Sequence, residues 1–232
     1  MSGNKIEDKG SLQLIEILGF AASAASAVFS VFSEIHPVFG IAASLIKVIQ
    51  KGVNDENSCT ELKREFKSIN QTLDELSKQH HNSLLENRKN TLDEQYSEVV
   101  SKLRQHFEMY EGIMQADPAR REEMKNEFKK KYSREMGEKH LNTLYDGVTK
   151  NDMTFSQPIL EVYLDYTKGK DGARCIMEEL CKHLYSLFTI GVITYMGYVA
   201  IKGYDLEEPK KKWEEKMNEV QKKMQEALAK CK

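Results

Sequence analysis

Cys175, Cys181 and His183 are residue types that bind transition metals, but their spacing does not assemble a site. C-x5-C-x-H matches no common zinc pattern, and positions 175 and 181 stand about 240° apart around a helix. His80 and His81 are neighbours, and neighbours on a helix point away from each other. His36 precedes Pro37 and reads as a turn residue. Glu122-Glu123 and Glu178-Glu179 supply paired carboxylates, as acid–base chemistry requires. Each pair lies in a charge-alternating stretch, the pattern of a solvated helix face. GxGxxG, GxxxxGK[ST], GxSxG and HExxH do not occur. The expectation is a non-enzymatic protein with no catalytic residue, no cofactor and no metal.

The elements that would position any chemistry are helices. The chain has 232 residues, with only 13 Gly and 4 Pro, and 30% of it is charged. Few breakers beside many Glu, Lys and Leu exclude collagen, turn-rich β-sandwiches and disulfide miniproteins. The formal net charge is -2. The two most basic stretches, 117–139 and 207–232, interleave both signs. They read as solvated faces with i,i+4 pairs, and nucleic acid is not an expected partner. Cys59, Cys175, Cys181 and Cys231 are scattered and fit no disulfide framework. Reduced thiols point to the cytoplasm, with a membrane-associated or secreted protein as alternatives.

Residues 17–33, ILGFAASAASAVFSVFS, are 17 uncharged residues in a row. As a helix they would be about 25 Å long, at the lower limit for crossing a bilayer. Ala25-Ser26-Ala27 resembles a signal-peptidase site, but Lys5 and Lys9 are offset by Glu7 and Asp8. The expectation is that this segment is no cleaved leader. Pro37 breaks the stretch, and VFGIAASLIKVI follows, giving a candidate apolar hairpin over 11–52.

Ser58-x-x-Glu61 and Thr91-x-x-Glu94 are capping boxes. Leu62, Phe66, Ile69, Leu73 and Leu76 follow the first at heptad spacing. Leu92, Tyr96, Val99, Leu103, Phe107 or His106, Tyr110 and Ile113 follow the second. A short connection predicts that these two helices pair as an antiparallel hairpin. Asp117-Pro118 predicts a new start, with Asp117 as cap. Met124, Phe128, Leu141, Leu144, Tyr145 and Val148 are the expected core contacts beyond it, with breaks at Gly137 and Gly147. Pro158 opens a further helix, and 168–172 is a turn. His183–Ile201 is a second uncharged stretch, 19 residues long if His183 is neutral. Two readings stand: a bilayer-competent segment, or a buried central helix. Pro209 opens the last helix, with Trp213, Met217, Val220, Met224 and Ala227 or Leu228 as its seam.

The expected architecture is all-α: an elongated bundle of six to eight helices, with an N-terminal apolar hairpin and a central apolar helix. One helical domain would span 1–232, with a flexible 1–10, the hairpin over 11–52 and amphipathic helices over 58–149. A central apolar region over 156–203 and a C-terminal amphipathic helix over 208–230 complete it. A chain with two concentrated apolar segments must bury them or offer them to something. Phe20, Val28, Phe29, Phe32, Leu187, Phe188, Ile190, Val192 and Ile193 are the candidate membrane- or partner-contacting residues. A lipid membrane, a protein and a second copy of the chain are the candidate partners.

HPVFGIAASLIKVI, EFKSINQTLDELS, QYSEVVSKLRQHFEMYEGI and YMGYVAIKGYDLEEPKKKWEEKM occur in this order. That order resembles the fish rapunzel-like proteins and the related helical module of cephalotoxin-like proteins. The resemblance covers most of 15–225. It implies a regulatory protein of development, skeletal growth or signalling, acting through helix-mediated protein or membrane contacts. The cephalotoxin-like relatives imply the alternative: a helical pore-forming or membrane-inserting protein, soluble until an apolar helix is released. No catalytic residue carries over from either.

Overall fold

The computed structural model describes residues 92–149, 158–205 and 207–231, together with the separate helical positions 64, 67, 71, 74, 75 and 78. The expected hairpin over 11–52 and both capping-box residues, Ser58 and Thr91, lie outside the described residues. Among the described residues the protein is all-α, with no strand. The helices are α1 (Leu92–Gln115), α2 (Pro118–Arg134), α3 (Gly137–Thr149), α4 (Ile159–Thr167), α5 (Ala173–Ile201) and α6 (Glu207–Lys230).

Helix α1 buries the face that its spacing predicts. Tyr96, Val99, Leu103, Phe107, Tyr110 and Ile113 are all in the core, and His106 is buried beside Phe107. Arg64, Lys67, Gln71, Asp74, Glu75 and Lys78 are exposed. They fall between the seam positions Leu62 to Leu76, as a polar stripe should. Asp74 joins Arg104 of α1 in an ion pair at 2.9 Å.

The turn into α2 departs from expectation in its chemistry. Asp117 occupies the cap position and Pro118 the first helical one, but the Asp117 side chain makes no capping bond. Its backbone carbonyl instead accepts from the amides of Arg120 and Arg121, at 2.9 and 3.1 Å. The Arg121 guanidinium closes the corner by donating to the Ala116 carbonyl at 3.1 Å.

The break expected at Gly137 falls between α2 and α3. Met136, not Gly137, takes the left-handed conformation, at φ 52°. Gly137 is needed for another reason: a Cβ there would overlap the Tyr132 ring. Gly147 does not break the chain, and α3 runs through it to Thr149. Phe128, Leu141, Leu144, Tyr145 and Val148 are buried, and Met124 packs at the core edge.

Ring and side-chain contacts give the directions of the helices. Tyr110 meets Phe128, and His106 meets Tyr132, so α2 runs antiparallel to α1. Tyr96 lies against His183, Leu103 against Gly191 and Tyr110 against Gly197, so α5 runs parallel to α1. Leu141 lies over Gly191 while Glu138 reaches Tyr195, so α3 descends along α5. Lys212 pairs with Glu138, Lys216 with Asn142, and Glu219 with Tyr145, so α6 runs parallel to α3. Helix α6 begins two residues before Pro209, which sits in its first turn, where no intrahelical N–H bond is lost. Helix α5 touches every other described helix and forms the axis of the bundle.

Candidate contact helix and the polar corner beside it

Helix α5 is about 44 Å long at 1.5 Å per residue. Its length and composition suffice to cross a membrane, yet most of its apolar stretch is buried inside the bundle. Of the candidate contact residues, Leu187, Phe188, Ile190, Val192 and Ile193 all lie in the core. Phe20, Val28, Phe29 and Phe32 lie outside the described residues. As folded, α5 therefore presents none of these five described side chains to a membrane or partner.

The burial of α5 is achieved without stranding its hydroxyls. Ser186, Thr189 and Thr194 each donate to the carbonyl four residues back, at 2.9, 3.0 and 2.7 Å. Such back-bonding satisfies a hydroxyl inside an apolar layer. Two glycines set how closely the neighbours approach. A Cβ on Gly191 would lie 2.5 Å from Leu141 Cδ1, and one on Gly197 would overlap the Tyr110 ring. The YMGY segment is thus a slot for α1. On the opposite side Trp213, fully buried, sits edge-on to Tyr145 and Tyr195. Met217, Val220, Met224, Ala227 and Leu228 continue that seam along α6.

A second feature lies where α1 meets the α2–α3 break. Glu135 Oε2 accepts from His106 Nε2 and from Lys102 Nζ, each at 3.1 Å. The Glu135 backbone carbonyl accepts from His140 Nε2 at 3.1 Å. With its proton on Nε2, the His106 imidazole turns Nδ1 into the core, where it has no partner among the described residues. Protonating Nδ1 would bury an unpaired N–H. Burial therefore holds the His106 pKa below the ordinary imidazole range, against the raising effect of Glu135. Burial also lowers His140, against the carbonyl of Glu135. Partial burial opposes ionisation of Glu135, but the bonds from Lys102 and His106 prevail and hold it below the usual carboxylate range. The Tyr132 ring lies tilted against His106 and Tyr198, with centroids 4.9 and 4.6 Å away, which joins this corner to α5.

Sequence reasoning missed this corner as a unit. Lys102 and His106 are one turn apart on α1, and that signal was available. Glu135 and His140 reach them only through the chain break at Met136. The residues weighed for metal binding separate in the fold. Cys175 is exposed, Cys181 is buried, and His183 packs against Tyr96. Burial pushes the Cys181 thiol up to about 12, with nearby Cys231 adding to the shift, so it carries no reactive thiolate at neutral pH. Glu178 is engaged by Arg174 at 3.0 Å and Glu122 by Lys125 at 2.6 Å, as solvated helix faces should be.

Comparison with known proteins agrees with this all-helical arrangement. The family model of the cephalotoxin-like middle helical domain matches residues 51–232. Protein rapunzel of Danio rerio is 42% identical over 224 residues, which cover 97% of this chain and 94% of that protein. No solved structure matches the chain. A helical bundle built around α5, matched over these lengths, belongs to the cephalotoxin-like middle helical domain family as a rapunzel-like member.

Proposed function

We propose that the protein is a non-enzymatic regulator, of the rapunzel-like type, that acts through contacts made by its helices with a protein or a membrane. The observation that supports this reading is the burial of α5. Leu187, Phe188, Ile190, Val192 and Ile193 are buried on a helix that packs against all five other described helices. Contact in the resting fold thus falls to the outward faces of the surrounding helices. The regulated process belongs to development, skeletal growth or signalling, as the rapunzel-like kinship implies, and the working compartment is the cytoplasm.

A second reading has its own support. Helix α5 is long and apolar enough to cross a bilayer, so release of the bundle would yield an inserting segment. One experiment separates the two. The full chain is mixed with dye-loaded vesicles at neutral and acidic pH while Trp213 emission is followed. Trp213 is the single tryptophan, buried between α6, α3 and α5. A surface-acting regulator leaves the dye inside and the emission unchanged. Dye release together with a red shift of Trp213 overturns the regulatory reading in favour of insertion.

A further inference from the structure

The charges of 117–139 balance in the first part of α2, where Arg120, Arg121 and Lys125 accompany three acids, and turn basic towards its end. The acids Glu122, Glu123 and Glu127 belong to the first part of α2. Lys129, Lys130, Lys131 and Arg134 fill its end, and Lys139 follows on α3. The two acids within this stretch are occupied elsewhere. Glu135 faces inward to Lys102 and His106, and Glu138 pairs with Lys212 at 3.2 Å. Arg134 reaches Glu135 only at 3.7 Å, and its side chain is 76% exposed. Lys130 and Lys139 are exposed as well.

At the apex of this basic corner stands Met136. It is 56% exposed and left-handed at φ 52°. A long apolar side chain is costly in water, and a non-glycine residue is costly in this conformation. Met136 and Tyr204 are the exposed large apolar residues among those described. An exposed apolar tip with the exposed cations Lys130, Arg134 and Lys139 close to it along the chain matches one surface chemistry in both parts. Cations meet anionic headgroups, and the tip enters the boundary of the acyl chains. An acidic protein or a nucleic acid would use the cations and leave the thioether without a role.

We propose that the α2–α3 corner, with Met136 at its tip and the exposed Lys130, Arg134 and Lys139 flanking it along the chain, docks the folded protein onto anionic lipid surfaces. The proposal rests on the contact reading above and specifies its partner. It needs no opening of α5.

The test is sedimentation or flotation of the full chain with vesicles of phosphatidylcholine, alone or mixed with phosphatidylserine. Trp213 emission and dye leakage are read in the same samples. Binding should require phosphatidylserine, weaken with added salt, and leave both other signals unchanged. Each cation near an anionic surface contributes about fivefold in partitioning, so K130E/R134E should weaken binding by at least about tenfold. Met136→Gly suits the left-handed corner and should fold normally, yet bind several-fold more weakly. K222E/K223E on α6 makes the same charge change away from the corner and should lose less. Equal binding to both vesicle types, or equal losses in the two charge-reversal variants, overturns the proposal. Tight binding of an acidic protein or nucleic acid that is insensitive to Met136→Gly, with no vesicle binding, also overturns it. In that last case the wider contact reading survives. Leakage with a Trp213 red shift would instead defeat that wider reading.

Discussion

The seams of α5 and the corner at Glu135 bury residues by opposite means. Along α5 the neighbours fit by shape. Leu141 and Tyr110 occupy the space over Gly191 and Gly197, and Trp213 packs edge-on to Tyr195. Hydroxyls there are satisfied within their own helix. At the corner, three side chains from α1 and α3 converge on one residue, through its carboxylate and its carbonyl. A seam made by shape is insensitive to pH and intolerant of added volume. A corner made by hydrogen bonds tolerates shape changes better and depends on protonation. The contrast shows which part of the bundle is fixed and which part conditions can loosen.

The largest expected break is on the α5 side. Trp213→Ala removes a fully buried ring and should cost about 3–5 kcal/mol in urea unfolding. A loss below about 1 kcal/mol would show that α6 is not clamped to α5. Gly197→Val forces a side chain into the Tyr110 ring and should cost about 1–3 kcal/mol. Thermal melting would check it, and an unchanged midpoint would mean that α1 and α5 are further apart than described.

The polar corner should respond less to truncation and more to pH. Glu135→Ala leaves His106 and Lys102 without their shared acceptor, at a cost of about 1 kcal/mol. His106 and His140 have lowered pKa values in the fold, so the unfolded chain takes up protons first on acidification. Stability should therefore fall as pH drops below about 6.5, the unfolded value. Glu135, also lowered, adds stability that is present above its unfolded value and lost as pH falls through the folded one. Melting curves from pH 7.5 to 4.5 should show this decline, and His106→Leu should flatten its upper part. A variant as steep as the parent would remove His106 from the account. The smallest effect belongs to the surface. Lys212→Ala breaks a half-exposed pair with Glu138 and should change stability by less than about 0.5 kcal/mol.

The core faces were legible from spacing. Tyr96 to Ile113 on α1 and Trp213 to Leu228 on α6 follow heptad steps, and the fold buries both sets. The uncertain choice between Phe107 and His106 dissolves, because both are inside. The candidate contact residues on α5 were legible as apolar, but apolarity does not say whether lipid, partner or neighbouring helices cover them. The break beside Gly137 was legible, but not that Met136 would carry the positive φ there. Gly137 was instead needed for the approach of Tyr132.

By itself the sequence determined that this chain is helical, where its apolar seams run, and that it offers no familiar catalytic motif. These follow from local terms: the 3.6-residue period, the placement of prolines and the spacing of side-chain types. Only the tertiary structure decided that α5 is the axis, that α1 and α5 run parallel, and that α3 and α6 do the same. It also decided that Glu135 gathers Lys102, His106 and His140, and that Met136 stands exposed at the corner between α2 and α3. Periodicity says which face of a helix is apolar and nothing about which helix meets it. Partner and register are settled by shape, where two glycines admit a leucine and a tyrosine, and those fits are visible only once the helices are packed.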